Sequence, residues 1–404
     1  MEKVYDMTII GAGPGGLAAG IYGSRSKLST LLIEKGKVGG QAATTEEMEN
    51  YPGFFGKTTG PELTSKMEEH AKHFGTEFVK DQVEDIIDEG FVKRIKTKKG
   101  EEYLTKTIVV STGAEPRVLG VKGEGALRGK GVSYCATCDA DFYEDLDVVV
   151  VGNGDSAIEE AIFLTKFAAK VTVIVIHDEG ILDATPVIAE RAFKNPKIEF
   201  VWNSVLEEIK GDGIVEGVNI KNLKTKEISE LEANGVFIYV GTVPKTDFLK
   251  DVIKLDDRGY IITNEMMETS KDGIYAVGDV RQKFLRQVVT AAADGAIAAT
   301  SAEKYISEEE MFKEEVLDVQ KPVAVYFWSP GSEESLDLMA ELEKEIDTDK
   351  FKLVKIDTYR NLRVSRRYEI SEVPSLVIFK DGNPSLTLKE NVTKEKVSES
   401  LNKF

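Results

Sequence analysis

Short apolar runs separated by glycine-rich turns recur along the chain, and their order predicts an α/β protein. Met7-Thr8-Ile9-Ile10 reads as a buried strand. Gly11-Ala12-Gly13-Pro14-Gly15-Gly16 follows it, then a helical stretch over 17–24 and a second strand over 29–33 that ends in Glu34. A Gly-x-Gly-x-x-Gly turn between strand and helix, with an acid about 20 residues on, is the pattern of a dinucleotide site. Gly11 permits the tight turn, Gly13 lets backbone approach a pyrophosphate, and Gly16 lets helix and strand pack closely. The helix N-terminus offers N–H groups to phosphate, and Glu34 can accept a ribose hydroxyl.

The pattern repeats inside the chain. Val148-Val149-Val150-Val151 has the continuous apolar character of a parallel strand buried on both faces. Gly152-Asn153-Gly154-Asp155-Ser156-Ala157 opens a helix to about 168, and the next strand spans 170–176. Two such units imply two dinucleotide sites, or one site and one relic. Short strands and turns fill 201–241. Gly273-Ile274-Tyr275-Ala276-Val277-Gly278-Asp279 is a further buried strand, and a small-residue helix spans 291–304. Ser307-Glu308-Glu309-Glu310-Met311 reads as an acidic linker or domain start. Beyond it a separate α/β pattern has strands over 323–328, 352–356 and 375–380, with helices over 333–346 and 394–403.

A length of 404 residues calls for two or three domains. The net charge of −18 speaks against nucleic acid as a partner. No apolar run is long enough to span a bilayer, and the first residues do not resemble a signal peptide, so a soluble, cytoplasmic protein is expected. The chain has two cysteines, Cys135 and Cys138, too close together and too few for a structural disulfide framework. The three histidines, His70, His73 and His177, form no metal pattern. A Cys-x-x-Cys pair suits redox exchange, because a thiolate attacks a disulfide and its neighbour resolves the mixed disulfide.

Residues 1–305 resemble the low-molecular-weight thioredoxin reductase family. The motifs that carry the likeness are Gly11 to Gly16, Gly39-Gly40-Gln41, Glu49-Asn50-Tyr51-Pro52-Gly53, Thr112-Gly113-Ala114, Cys135-Ala136-Thr137-Cys138-Asp139, Gly278-Asp279 and Arg286-Gln287-Val288. The resemblance implies an FAD domain built from 1–114 and 246–305, with a dithiol-bearing NAD(P)H-type domain over 115–245. It also implies a homodimer whose domains rotate about strands at Gly113-Ala114 and 241–244. In the family Asp279 holds the ribityl chain, Gln287 and Val288 line the flavin, and Gln41, Asn50 and Thr112 match further contacts. Cys138 would exchange electrons with FAD, Cys135 would attack the disulfide of a thioredoxin-type protein, and Asp139 would protonate the departing thiolate. That last role needs a raised pKa, which burial can supply.

The second nucleotide unit departs from the family. Standard members end the following strand in His-Arg-Arg, with another arginine a few residues on, to grip NADPH. Here the chain reads Val175-Ile176-His177-Asp178-Glu179, and no arginine follows until Arg191. Losing two charge-assisted hydrogen bonds at about 1.5–3 kcal/mol each weakens binding by about two to four decades. Either a nicotinamide binds atypically, with Lys194 as a substitute cation, or electrons come from a donor such as ferredoxin. Ferredoxin-dependent flavin thioredoxin reductases are similar while lacking these nucleotide motifs.

Residues 306–404 resemble thioredoxin through Phe327-Trp328-Ser329-Pro330, Glu372-Val373-Pro374-Ser375 and Phe379-Lys380-Asp381-Gly382. Ser332-Glu333-Glu334-Ser335 replaces the redox cysteines, and Tyr326 stands where a buried acid belongs, so this domain cannot shuttle electrons. The sequence thus points to a thioredoxin reductase-like flavoenzyme. A flavin-dithiol carrier or oxidase serving a peroxidase system, and a redox-sensing regulator, are the competing readings.

Overall fold

The computed structural model describes residues 3–44, 48, 50–54 and 58–404; Glu49 of the expected cofactor motif lies outside them. The chain divides into two compact units, Met1–Ala302 and Glu303–Phe404. No helix among the described residues is long and apolar enough to cross a membrane.

The first unit contains two parallel-sheet cores. In one, Val4–Ile10 lies between Thr30–Glu34 and Glu102–Val110, parallel to both. Glu77–Lys80 extends the first edge, while Lys93–Thr97 and Val83–Asp88 extend the other as an antiparallel pair. Ile274–Ala276, far along the chain, pairs with Glu102–Val110 in parallel, so the sheet draws on both flanks of the intervening sequence. Met7, Ile9, Leu31, Leu32 and Val109 are fully buried. Their apolar runs suit a sheet covered on both faces. Helix Pro14–Arg25 starts with a proline in its first turn, where the missing N–H costs nothing. Helix Gly60–His73 is fixed by a reciprocal Thr59–Glu62 capping box.

The second core runs, strand by strand, Ile198–Val201, Lys170–Ile174, Asp147–Val151, Gly235–Ile238 and Val132–Ser133, all parallel. A three-stranded antiparallel sheet of Ser204–Lys210, Gly217–Asn222 and Ile228–Glu232 belongs to the same stretch. The strand expected to reach Ile176 ends at Ile174, and Ile176 is exposed. Ala114–Pro116 and Thr242–Pro244 pair antiparallel where the chain enters and leaves this core.

The second unit has a four-stranded sheet in the order Lys352–Asp357, Val323–Trp328, Ser375–Lys380 and Asn383–Leu388. The first pair is parallel and the others antiparallel. The Val373–Pro374 peptide is cis. Of the two readings of the acidic run at 307–311, linker or domain start, the linker fails, while the second unit does begin close by at Glu303. The run lies within helix Val288–Phe312. Glu308 and Glu309 pair with Arg363 and Arg367, so the charges form a matched helix face rather than a solvated spacer.

Candidate active site

The dithiol lies just after the edge strand of the second core. Cys135 is the N-cap of the short helix Ala136–Asp139, and a disulfide joins it to Cys138 with the Cα atoms 5.3 Å apart. Three side chains fix this turn. Tyr239 Oη, from the end of strand Gly235–Ile238, accepts from the backbone N of Ala136 at 2.6 Å. Ser133 Oγ accepts from Cys135 N at 3.1 Å and donates to Asp139 Oδ2 at 2.5 Å. Burial raises the Asp139 pKa; the Ser133 hydrogen bond partly opposes this, and Asp141 adds to it. Asp139 therefore holds a proton at higher pH than an ordinary aspartate. The same burial, with Asp139 nearby, pushes Tyr143 up to about 12.

Both cysteines open onto a cleft of about 3280 Å³. Ligand pockets for small molecules usually hold about 300–1,000 Å³, so this one has room for an extended dinucleotide. The first glycine turn also lines it and is built by close approach. A Cβ on Gly16 would lie 2.0 Å from the Gly11 carbonyl oxygen, and one on Gly11 would lie 2.4 Å from that of Ser111. Gly13, by contrast, faces open space. Glu34 Oε2 accepts from Ala12 N at 2.7 Å, which places its carboxylate at the turn. Gln287 Nε2 lies 4.0 Å from Cys135 Sγ, and Asn50 Nδ2 donates to Gln287 Oε1 at 3.2 Å. The dithiol is thus seated on the side of the cleft that carries these residues.

A pyridine nucleotide-disulphide oxidoreductase family model matches residues 5–295, and a thioredoxin model matches 303–403. The chain belongs to the pyridine nucleotide-disulphide oxidoreductases. It is 55% identical to a thioredoxin reductase of Peptoclostridium acidaminophilum, over 76% of this chain and 98% of that one. A Bacillus subtilis thioredoxin reductase is 47% identical over 76% of this chain and 96% of its own. The crystal structure of a Streptococcus pyogenes thioredoxin reductase, 47% identical, superposes with a TM-score of 0.72 over 76% of this chain and 99% of that one. This oxidoreductase is therefore an FAD-dependent disulfide oxidoreductase of the thioredoxin reductase kind, with a thioredoxin-like domain at its C-terminal end.

The cleft of this oxidoreductase fits FAD. Asp279 is half-buried, and its fully buried Oδ1 has no hydrogen-bond partner among the described residues. Leaving a buried acceptor unpaired costs about 1–3 kcal/mol, which a cofactor hydroxyl at that point would recover. Burial raises the Asp279 pKa, while Lys283 and Arg286 pull it down. Arg286 lies over the Tyr260 ring, 4.4 Å from its centre, and its Nε reaches the Asp279 carbonyl at 3.5 Å. Gly278 N donates to Asp294, and Val288 begins the helix that carries Asp294. Gln41 Oε1 meets Arg128 at 3.4 Å across the cleft. Thr112 and Gly113 also line it, with Thr112 Oγ1 donating to Lys245 O at 2.8 Å and Gly113 O accepting from Lys245 N at 3.1 Å.

The second glycine turn keeps its backbone and not its charge. A Cβ on Gly152 would strike the Tyr239 carbonyl at 2.4 Å, while Gly154 is open. The lysines near this turn among the described residues are already paired with acids. Lys194 pairs with Glu190 at the far end of helix Pro186–Phe193, about 12 Å from its start at 1.5 Å per residue. Asp178 pairs with Lys224. The residues present do not fit the 2′-phosphate of NADPH.

Sequence reading missed Ser133 and Tyr239. The only signal for Ser133 is its position two residues before Cys135; nothing marks Tyr239, which arrives from 103 residues away. In the thioredoxin-like domain the serines have structural work. Ser332 caps helix Glu333–Glu345 by accepting from Ser335 N, and buried Ser335 donates back to Ser332 O at 2.8 Å. Tyr326, fully buried, donates to Ser335 O at 2.8 Å. His70 and His73 are exposed and touch Phe74, and no group of metal-ligating side chains forms among the described residues.

Proposed function

We propose that this oxidoreductase reduces the disulfide of a thioredoxin-type protein through Cys135 and Cys138. The observation that carries the reading is the Cys135–Cys138 pair on the FAD-fitting cleft, with half-buried Asp139 next to Cys138 and its pKa raised. FAD would be held by the cleft and, once reduced by the electron donor, would supply the two electrons that reopen the Cys135–Cys138 disulfide. The Cys135 thiolate then attacks one sulfur of the substrate disulfide, breaking its S–S bond. Asp139 gives its proton to the departing thiolate. Cys138 attacks Cys135 Sγ in the mixed disulfide, re-forming the intramolecular bond and releasing the second substrate thiol. For attack on a protein, the dithiol must leave the cleft. The ribbon of Ala114–Pro116 and Thr242–Pro244 is the hinge in this reading. A Cys138→Ser variant that kept full turnover on the physiological disulfide would sink the proposal.

The donor reading that the acidic second turn favours is a non-nicotinamide one, such as ferredoxin, with NADPH at most weakly held. Anaerobic bleaching of the flavin by NADPH, NADH and reduced ferredoxin, each alone, tests it. Fast bleaching by micromolar NADPH would overturn it. A cytoplasmic homodimer is the setting the family reading supplies, and sedimentation analysis checks the stoichiometry.

A further inference from the structure

We propose that Asp183 weakens dinucleotide binding at the second glycine turn, by holding a carboxylate where the phosphates of a dinucleotide would come. The inference rests on the donor reading above and names the residue responsible. The turn is otherwise well formed. Gly152 has φ +137° and no room for a side chain, Gly154 leaves open space, and the ten-residue helix Asp155–Leu164 presents its N-terminus there. A backbone so arranged ordinarily receives a pyrophosphate.

The side chains bridge that space instead. Asn153, between the two glycines, donates through Nδ2 to Asp183 Oδ2 at 3.0 Å. His177 Nε2 lies 3.1 Å from both oxygens of the same carboxylate. Asp155 Oδ1 accepts from Thr185 N at 2.5 Å. The segment 177–185 is therefore tied to the turn at two points.

The two acids differ in what they do. Asp155 supports the N-cap of helix Pro186–Phe193, where Thr185 makes no side-chain cap of its own. Asp183 caps nothing, and its side chain is 61% exposed. Its only ion-pair partner among the described residues is His177, with no lysine or arginine on it. A phosphate entering beside Asn153 would meet this carboxylate within a few ångströms.

The test is equilibrium binding of NADP+ and NAD+ to the oxidised FAD-loaded full chain, read by isothermal titration calorimetry at low salt. Binding heat does not depend on flavin reduction or on the dithiol. Wild type is expected to bind both with Kd above about 100 μM, given the missing cations. Asp183→Asn keeps the hydrogen-bonding shape and removes the charge. It is expected to tighten both nucleotides about tenfold, and Asp183→Arg further, with the gain shrinking as salt rises. Unchanged Kd values in both variants would overturn the inference and leave the donor reading standing. A gain confined to NADP+ would also overturn it, because the carboxylate would then act away from the turn. Micromolar binding of NADP+ by wild type would overturn inference and donor reading together. Retained FAD absorbance shows that each variant is folded.

Discussion

Replacing Asp139 with asparagine isolates proton donation at the dithiol. The amide matches the carboxyl in size and can still meet Ser133 Oγ, now 2.5 Å from Asp139 Oδ2, so the turn should keep its shape. What is lost is a transferable proton. General acid catalysis contributes about 10²–10⁴-fold, and at 1.36 kcal/mol per decade this is about 2.7–5.4 kcal/mol of barrier. The assay reduces the dithiol first, mixes it with an oxidised thioredoxin, and quenches with an alkylating agent, so the electron donor plays no part. Asp139→Asn should slow this single turnover at least a hundredfold. The pH dependence follows in sign. Because burial raises the Asp139 pKa, wild type should carry the proton at low pH and lose rate as pH rises through that value. The asparagine variant should be flat over the same range. Linkage runs the same way: a raised folded pKa adds stability at low pH, lost as pH climbs through it, and Asn removes that slope. An Asn variant within threefold of wild type, or with the same pH profile, would refute Asp139 as the acid.

Other outcomes follow from single contacts. Gly16→Ala puts a methyl 2.0 Å from the Gly11 carbonyl oxygen, a backbone atom that cannot step aside, so purified protein should carry little FAD by its visible absorbance. Asp279→Ala should act with opposite signs: the FAD-free protein gains about 1–3 kcal/mol in urea unfolding, while FAD affinity falls by tenfold or more on the order of one lost hydrogen bond. Tyr326→Phe leaves the Ser335 carbonyl without its 2.8 Å partner and should cost about 1–3 kcal/mol, visible as faster hydrogen exchange across 323–380 with disulfide reduction unaffected.

Contiguous chemistry was legible in the amino-acid order. The glycine turns, Glu34, and the Cys-Ala-Thr-Cys-Asp run each declare themselves within a few residues, because a tight turn or a redox pair needs fixed spacing. Contacts made by the fold were not. Tyr239 reaches Ala136, and Gln287 reaches Cys135, across 103 and 152 residues, where no local pattern records the meeting. The linker reading of the acidic run at 307–311 failed for a related reason. The run's charge is solvated in isolation, and in the fold it meets Arg363 and Arg367, which lie 55 and 58 residues further on. Lys194 was a plausible phosphate ligand by sequence distance, and the direction of its helix removes it. Nothing in the amino-acid order marks Asp183, which meets Asn153 and His177 only in the fold.

The serine-for-cysteine exchange in the thioredoxin-like domain has a practical chemical side. The whole chain carries two thiols, on one four-residue segment. Any protein caught covalently by a single-cysteine variant must therefore be attached at a known atom. Its partner cysteine can be mapped by peptide mass alone, with no second thiol elsewhere to scramble the link.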